Sequence, residues 1–220
     1  MKNKLPVLVI VLTAFAFSVY YVTRKPEKRQ SFEGIITYNI TIISNAKNPE
    51  FDEYLKQKYG QKMIFTIDSD GNFRRDYISS GKKGYEFFMY DVASNTYHSK
   101  WRDSKMVHAN SCDKNSLTFV EEKSLPREKI YGDSCQGYFI SGNLPESNRI
   151  ASLSYYYKKQ KHHINPKIYK NFNDFFFNKV IQKMQSPYYK LIMDLEVYKV
   201  IFEVEKIEKK KVNLSIFMLK

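Results

Sequence analysis

From residue 32 onward the sequence repeatedly alternates apolar and polar residues with a period of two, which is typical of half-buried β-strands. The first such run places five apolar residues on one face: Phe32, Ile36, Tyr38, Ile40 and Ile42. Similar short runs follow between turn signals such as Asp70-Gly71, a common hairpin turn. A succession of short strands with local turns predicts an antiparallel meander.

Two segments depart from this period and predict helices. Asn48 is a suitable N-cap, Pro49 suits the first helical position, and Gly60 is a natural stop. A second helix is expected after Asn173 and ends before Pro187. Each helix has apolar residues on one side only, so both are expected to lie on one face of a curved antiparallel sheet. The predicted fold class is therefore α+β.

The remaining stretches give weaker predictions. The polar segment 103–115 is expected to be a loop, and three short strands are expected within residues 117–141. Two long alternating runs, 198–204 and 212–218, predict a terminal hairpin that turns at Lys209–Lys211.

The stretch Leu5–Val22 contains no charged residue and follows Lys2 and Lys4. Small residues at Ala16 and Ser18 are compatible with cleavage of a signal peptide. The run would also span roughly 27 Å as a helix, so an uncleaved membrane anchor remains an alternative. Either role predicts an exported protein of the periplasm or cell envelope, with residues 1–22 as the targeting segment, 23–31 as a basic linker and 32–219 as a single domain.

The net charge is +13, and the basic residues are spread along the chain. Lys, Asn, Ile, Tyr and Phe are all abundant, so compositional drift is the favoured explanation and nucleic acid is not an expected partner. A basic block next to the apolar stretch is expected to contact anionic membrane. Its residues are Arg24, Lys25, Lys28 and Arg29.

Cys112 and Cys135 are the two cysteines of the chain. In an exported protein an even count predicts a disulfide, whereas in the cytosol both would be free thiols. No further ligands are spaced for a zinc site.

Sequence signatures of catalysis are lacking. The chain contains no nucleophile elbow, zinc-protease, P-loop or dinucleotide-binding pattern, so neither an enzyme nor a cofactor is expected. The segment Asp68–Asn72 does not have the spacing of a calcium-binding loop and is predicted to form a hairpin turn. His162-His163 is expected to lie in a solvated loop.

Several segments together resemble the LolA/LolB-like half-barrel class of bacterial envelope proteins. They are FEGIITYNITI, the turn-separated strands from Met63 to Trp101, SCQGYFI, and SLSYYYKKQKHHINPKIY before the second helix. The resemblance implies a curved sheet that wraps the helices on its concave face and leaves an apolar cavity for acyl chains. It also implies a non-enzymatic protein that binds a hydrophobic ligand or a lipidated partner.

A set of apolar aromatic residues is expected to face inward and fits either an ordinary core or a cavity wall. The resemblance favours a cavity lined by these residues: Tyr38, Phe65, Phe87, Tyr90, Trp101, Phe176 and Phe177. The alternative is a membrane-tethered structural or protein-interaction domain whose core is filled.

Overall fold

An open antiparallel sheet dominates the computed structural model, which describes residues 31–145, 147, 149–159 and 161–219. Within those ranges the sheet has eleven strands in the order β6-β5-β4-β3-β2-β1-β11-β10-β9-β8-β7. The strands are β1 (Gly34–Ser44), β2 (Lys62–Ile67), β3 (Phe73–Ile78), β4 (Tyr85–Asp91), β5 (Thr96–Trp101), β6 (Val107–Ser111), β7 (Thr118–Ile130), β8 (Asp133–Leu144), β9 (Arg149–Tyr157), β10 (Tyr188–Asp194) and β11 (Tyr198–Lys209).

The expectations for residues before Ser31 lie outside the described part of the chain. They concern the stretch Leu5–Val22 and the basic block of Arg24, Lys25, Lys28 and Arg29. Among the helices of the described residues, none is both long enough and apolar enough to cross a membrane.

The curvature of the sheet follows from its connectivity. β6 and β7 lie at opposite ends of the strand order but are joined by residues 112–117 alone. A flat sheet would separate these two edge strands by roughly 48 Å, at about 4.8 Å per interval. The connection spans at most about 25 Å when fully extended. The sheet must therefore curve strongly, as a half-barrel does.

The two α-helices pack on the inner face of this curve. α1 (Pro49–Tyr59) begins as predicted, since Asn48 Oδ1 accepts hydrogen bonds from the backbone N–H groups of Glu50 and Phe51. Its last residue, Tyr59, contacts the ring of Tyr85.

α2 (Phe177–Met184) buries Val180, Ile181 and Met184. Phe177 at its start packs on Phe73 of β3, which is fully buried. α2 follows a short 3₁₀ turn, Asp174–Phe176, rather than starting directly after Asn173.

Three strand predictions are wrong. The predicted loop 103–115 contains β6, and the short strands predicted within 117–141 belong to two long strands, β7 and β8. The terminal hairpin is formed by β10 and β11, while the run 212–218 contains only a 3₁₀ turn, Leu214–Phe217. That run has no place in the sheet because β11 is already paired on both sides, with β1 and β10.

The predicted disulfide is also corrected, because Cys112 and Cys135 are both buried free thiols. Cys112 directly follows β6, whereas Cys135 lies near the start of β8. The backbone of Cys112 is hydrogen-bonded to Asn95 and Asn173, whereas Cys135 is paired with Glu128 of β7. The two cysteines therefore have different neighbours in the sheet.

Candidate functional site: an aromatic cavity with an arginine in its wall

A cavity of about 370 Å³ lies between the inner face of the sheet and the helices. Its volume falls within the range of roughly 300 to 1,000 Å³ that is usual for small-molecule sites. The wall is mainly aromatic and aliphatic, and the strands contribute most of it: Met63, Arg75, Tyr77, Tyr85, Phe88, Tyr97, Leu144, Leu153, Tyr155, Tyr188, Leu191, Met193, Tyr198 and Phe202.

A second, larger cleft of about 970 Å³ runs between β1, α1 and the loop that joins β3 to β4. Its wall is largely polar and includes Lys56, Lys82 and Lys83. The inner cavity is the better candidate site because it combines an apolar wall with a half-buried arginine, Arg75.

Strand alternation aims the side chains of β3 and β4 into the cavity. Phe73, Arg75 and Tyr77 share the inner face of β3, and Arg75 is paired across the sheet with Phe88 of β4. A register shift between Tyr85 and Phe87 brings Tyr85 and Phe88 to the same face, with ring centroids 4.4 Å apart. This bulge therefore sets which aromatic residues of β4 line the cavity.

The aromatic wall is held by ring packing and by a hydroxyl pair. Phe88 and Tyr97 stack with an interplanar angle of 8° and a centroid distance of 5.1 Å. At the end nearer α1, the hydroxyl oxygens of Tyr59 and Tyr198 lie 3.0 Å apart.

Arg75 is the unusual member of the wall. Its guanidinium carbon lies 5.1 Å from the ring centroid of Phe73 and 5.6 Å from that of Phe65, so aromatic rings support the group. Its Nε is buried, and no acceptor within the described ranges lies within hydrogen-bond distance of it. A buried charged donor normally has a partner, because leaving it unpaired is costly.

Asp174 supplies the carboxylate of the cavity wall, and this carboxylate is hydrogen-bonded to Ser116 rather than to Arg75. Its Oδ1 accepts hydrogen bonds from the backbone N–H and the hydroxyl of Ser116. At the α1 side of the wall, Lys58 places its Nζ 5.4 Å from the ring centroids of both Tyr59 and Tyr85. Burial lowers the pKa of Lys58. Among the described residues, the wall thus carries two basic side chains and a single carboxylate.

Four tyrosines of the cavity wall interact electrostatically with Arg75. Burial raises the pKa values of Tyr77, Tyr97, Tyr155 and Tyr188, and the charge of Arg75 opposes this rise in each case. Their hydroxyls therefore lie within electrostatic reach of the guanidinium. Burial keeps them protonated near neutral pH, so each can donate a hydrogen bond.

The predicted cavity residues are placed in different environments. Phe177 lines the cavity. Tyr38, Phe65, Tyr90 and Phe176 are buried, and the hydroxyl of Tyr38 donates to the backbone carbonyl of Tyr188 at 2.8 Å.

Trp101 packs on the lining residue Tyr85, with ring centroids 4.7 Å apart. The prediction that Phe87 faces the cavity is corrected. Phe87 pairs with Asp76 and lies beneath the guanidinium of Arg74, on the opposite face of the sheet. The bulge before Phe87 causes this, since unbroken alternation from Tyr85 would point Phe87 inward.

Sequence reasoning missed Arg75 and most of the tyrosine wall. A signal was present in the segment Phe73–Tyr77, where strand alternation puts Arg75 between two inward aromatic residues. An arginine at an inward position is a recognisable anomaly.

No protein-family model matches the chain, and no curated protein matches it in sequence. Among solved structures it is similar to the Mycobacterium tuberculosis lipoprotein LppX, with 9% identity and a TM-score of 0.37 over 82% of this chain and 89% of that one. It is also similar to a putative outer membrane lipoprotein-sorting protein domain from Vibrio parahaemolyticus, with 9% identity and a TM-score of 0.32 over 91% and 94% of the two chains. At such TM-scores, the case for a half-barrel rests on the strand order and curvature of this chain.

Proposed function

We propose that this protein binds a hydrophobic ligand in the cavity between its sheet and its helices, as a carrier or receptor rather than an enzyme. The observation that carries the proposal is the cavity itself. Ligand sites are concave, mostly apolar spaces of roughly 300 to 1,000 Å³. The cavity of about 370 Å³, with its aromatic and aliphatic wall, has this size and character.

The wall chemistry supports an apolar occupant. Leu153, Leu191, Met193 and Phe202 present aliphatic and aromatic surface to the void. Burying such surface against a hydrocarbon chain is favourable by roughly 25 cal/mol per Å² of apolar surface removed from water. The alternative, a structural or interaction domain with a filled core, is disfavoured by the same void.

The expected location belongs to this proposal. The apolar stretch Leu5–Val22 and the resemblance to the half-barrel class support an exported protein of the cell envelope. There the ligand would be a lipid or the acyl part of a lipidated partner.

A fluorescence titration of the full chain with the neutral apolar dye N-phenyl-1-naphthylamine tests the proposal. Saturable binding with one site per chain is expected. Met193→Trp fills part of the cavity and should weaken binding at least about tenfold. Met106→Trp is the matched control, because Met106 is 66% exposed in a loop before β6 and should leave binding unchanged.

The same two variants can also contradict the proposed function. Equal dye binding by the Met193→Trp and Met106→Trp proteins, with both folded by circular dichroism, would place the dye outside the cavity. That result would overturn the proposed function.

A further inference from the structure

We infer that the ligand of this cavity is a single-chain amphiphile with an anionic head, and that Arg75 binds its carboxylate or phosphate. The inference rests on the proposed function, which it deepens by naming the ligand class. It starts from Arg75, a half-buried basic side chain of the wall whose buried Nε has no acceptor among the described residues.

The geometry directs Arg75 at the cavity. Arg75 belongs to the cavity wall, where the rings of Phe65 and Phe73 flank its guanidinium. Aromatic faces stabilise the cation but accept no strong hydrogen bonds from its N–H groups. The guanidinium therefore keeps its fork of donors, which matches a carboxylate or a phosphate.

The energetics call for an anion. Leaving a buried charged donor without a partner is costly. The Nε of Arg75 stands in that state, and Oδ1 of the wall carboxylate, Asp174, accepts from Ser116 rather than from Arg75. Lys58 adds a second positive charge to the wall. An anion supplied by the ligand would restore the balance.

Neutral donors on the same wall can complete the head-group site. Tyr77, Tyr97 and Tyr155 line the cavity together with Arg75, and its charge lowers the pKa of each against the rise caused by burial. Hydroxyl donors that share a cavity with a guanidinium suit the several acceptor sites of a carboxylate or phosphate. They offer nothing comparable to a purely aliphatic molecule.

The size of the cavity limits the tail. At about 370 Å³ it lies near the lower end of the range for ligand sites. That space suits one chain of moderate length better than a multi-chain lipid. Leu153, Leu191 and Met193 provide the apolar surface that such a tail requires.

Competition against bound N-phenyl-1-naphthylamine tests the inference with three probes of equal chain length: dodecanoate, dodecyl phosphate and 1-dodecanol. The full chain should bind at least one of the anions about tenfold or more tighter than the alcohol, since hydrogen bonds to charged groups are the stronger class. The preferred anion identifies the head as carboxylate or phosphate. Inorganic phosphate alone should compete at least a hundredfold more weakly than dodecyl phosphate.

Arg75→Met should abolish the preference for anions and leave the affinity for 1-dodecanol within about twofold. Arg74→Met is the matched control, because Arg74 lies on the outer face and should leave the preference intact. Tyr155→Phe provides a second variant that keeps Arg75 and should reduce anion affinity several-fold. It decides the matter if Arg75→Met does not fold.

Failure of the inference is distinct from failure of the proposed function. Binding of 1-dodecanol as tightly as both anions by the unaltered protein, or an unchanged anion preference in Arg75→Met, would overturn the head-group assignment but leave a hydrophobic site. Absence of binding by the dye and by all three amphiphiles would overturn the proposed function itself.

Discussion

Arg74 and Arg75 are neighbours on β3, but their guanidinium groups lie on opposite faces of the sheet. Arg74 pairs with Asp76 at 2.8 Å and donates to the backbone carbonyl of Ile216 at 3.0 Å. Arg75 faces the inner cavity, where its Nε has no acceptor within the described ranges. Identical side chains one residue apart therefore have opposite energetic roles, and this contrast is testable.

Replacing Arg75 with Met should raise the free energy of unfolding of the ligand-free protein. The change removes an unsatisfied buried donor, whose cost is about 1 to 3 kcal/mol, and adds apolar surface. Arg74→Met should lower the free energy of unfolding by up to about 1 kcal/mol, because it breaks a partly exposed ion pair. Urea unfolding of both variants measures the difference, and a larger loss of stability in Arg75→Met than in Arg74→Met would contradict the environment described for Arg75.

The hydroxyl of Tyr38 on β1 should stabilise the protein through its hydrogen bond to β10. It donates to the backbone carbonyl of Tyr188, although 150 residues separate the two in sequence. Tyr38→Phe leaves that buried carbonyl without its donor and should cost about 1 to 2 kcal/mol. Tyr131→Phe makes the same chemical change at a residue that is 50% exposed, and it should change stability by less than about 0.5 kcal/mol. Equal effects of the two changes in urea unfolding would contradict the prediction.

Gly84 should be essential to the packing of the β3–β4 loop against α1. Its φ is +94°, and a Cβ at this position would lie 2.3 Å from Cα of Lys58. Gly84→Ala therefore combines backbone strain with a clash against helix backbone and should cost several kcal/mol.

A substitution at Gly132 measures the backbone strain without the steric clash. Its φ is +77°, but a Cβ there would have no neighbour within 4 Å. Gly132→Ala should cost only the strain, about 1 to 2 kcal/mol. Thermal unfolding of both variants compares them, and a cost for Gly132→Ala as large as that for Gly84→Ala would show that crowding at α1 is unimportant.

Local chemistry explains what the sequence predicts well. α1 is recognisable because its cap, Asn48, and its stop, Gly60, act within a few residues of the helix. β4 and β5 are recognisable because turn residues separate them. Strands and helices with such local signals can be located from sequence alone.

Features that depend on distant partners could not be predicted. β6 is short and largely exposed, and its pairing with β5 alone places it in the sheet. β7 is an exposed edge strand with charged residues and Pro126, a composition typical of protected edges. The bulge that moves Phe87 to the outer face has no marker of its own. Alternation could place Arg75 inside, but its missing partner is visible only in three dimensions.

The two buried thiols should make the protein less stable in alkali. Burial raises the pKa of Cys112 to about 12 and that of Cys135 to about 11, above the ordinary thiol value of 9.0. The folded state therefore keeps both protons at a pH at which the unfolded chain releases them. The resulting stabilisation is fully present below the ordinary thiol pKa and is lost progressively as pH rises towards the raised values.

The free energy of unfolding, measured with urea in the presence of a reductant, should accordingly fall between about pH 8 and pH 10. Buried tyrosines add a further loss above about pH 10, the ordinary tyrosine value, so the lower range separates the thiols from the tyrosines. Replacement of Cys112 and Cys135 by Ala should lower stability at every pH through lost packing but should flatten its decline across that range. An equally steep decline in the doubly substituted protein would show that other groups release the protons.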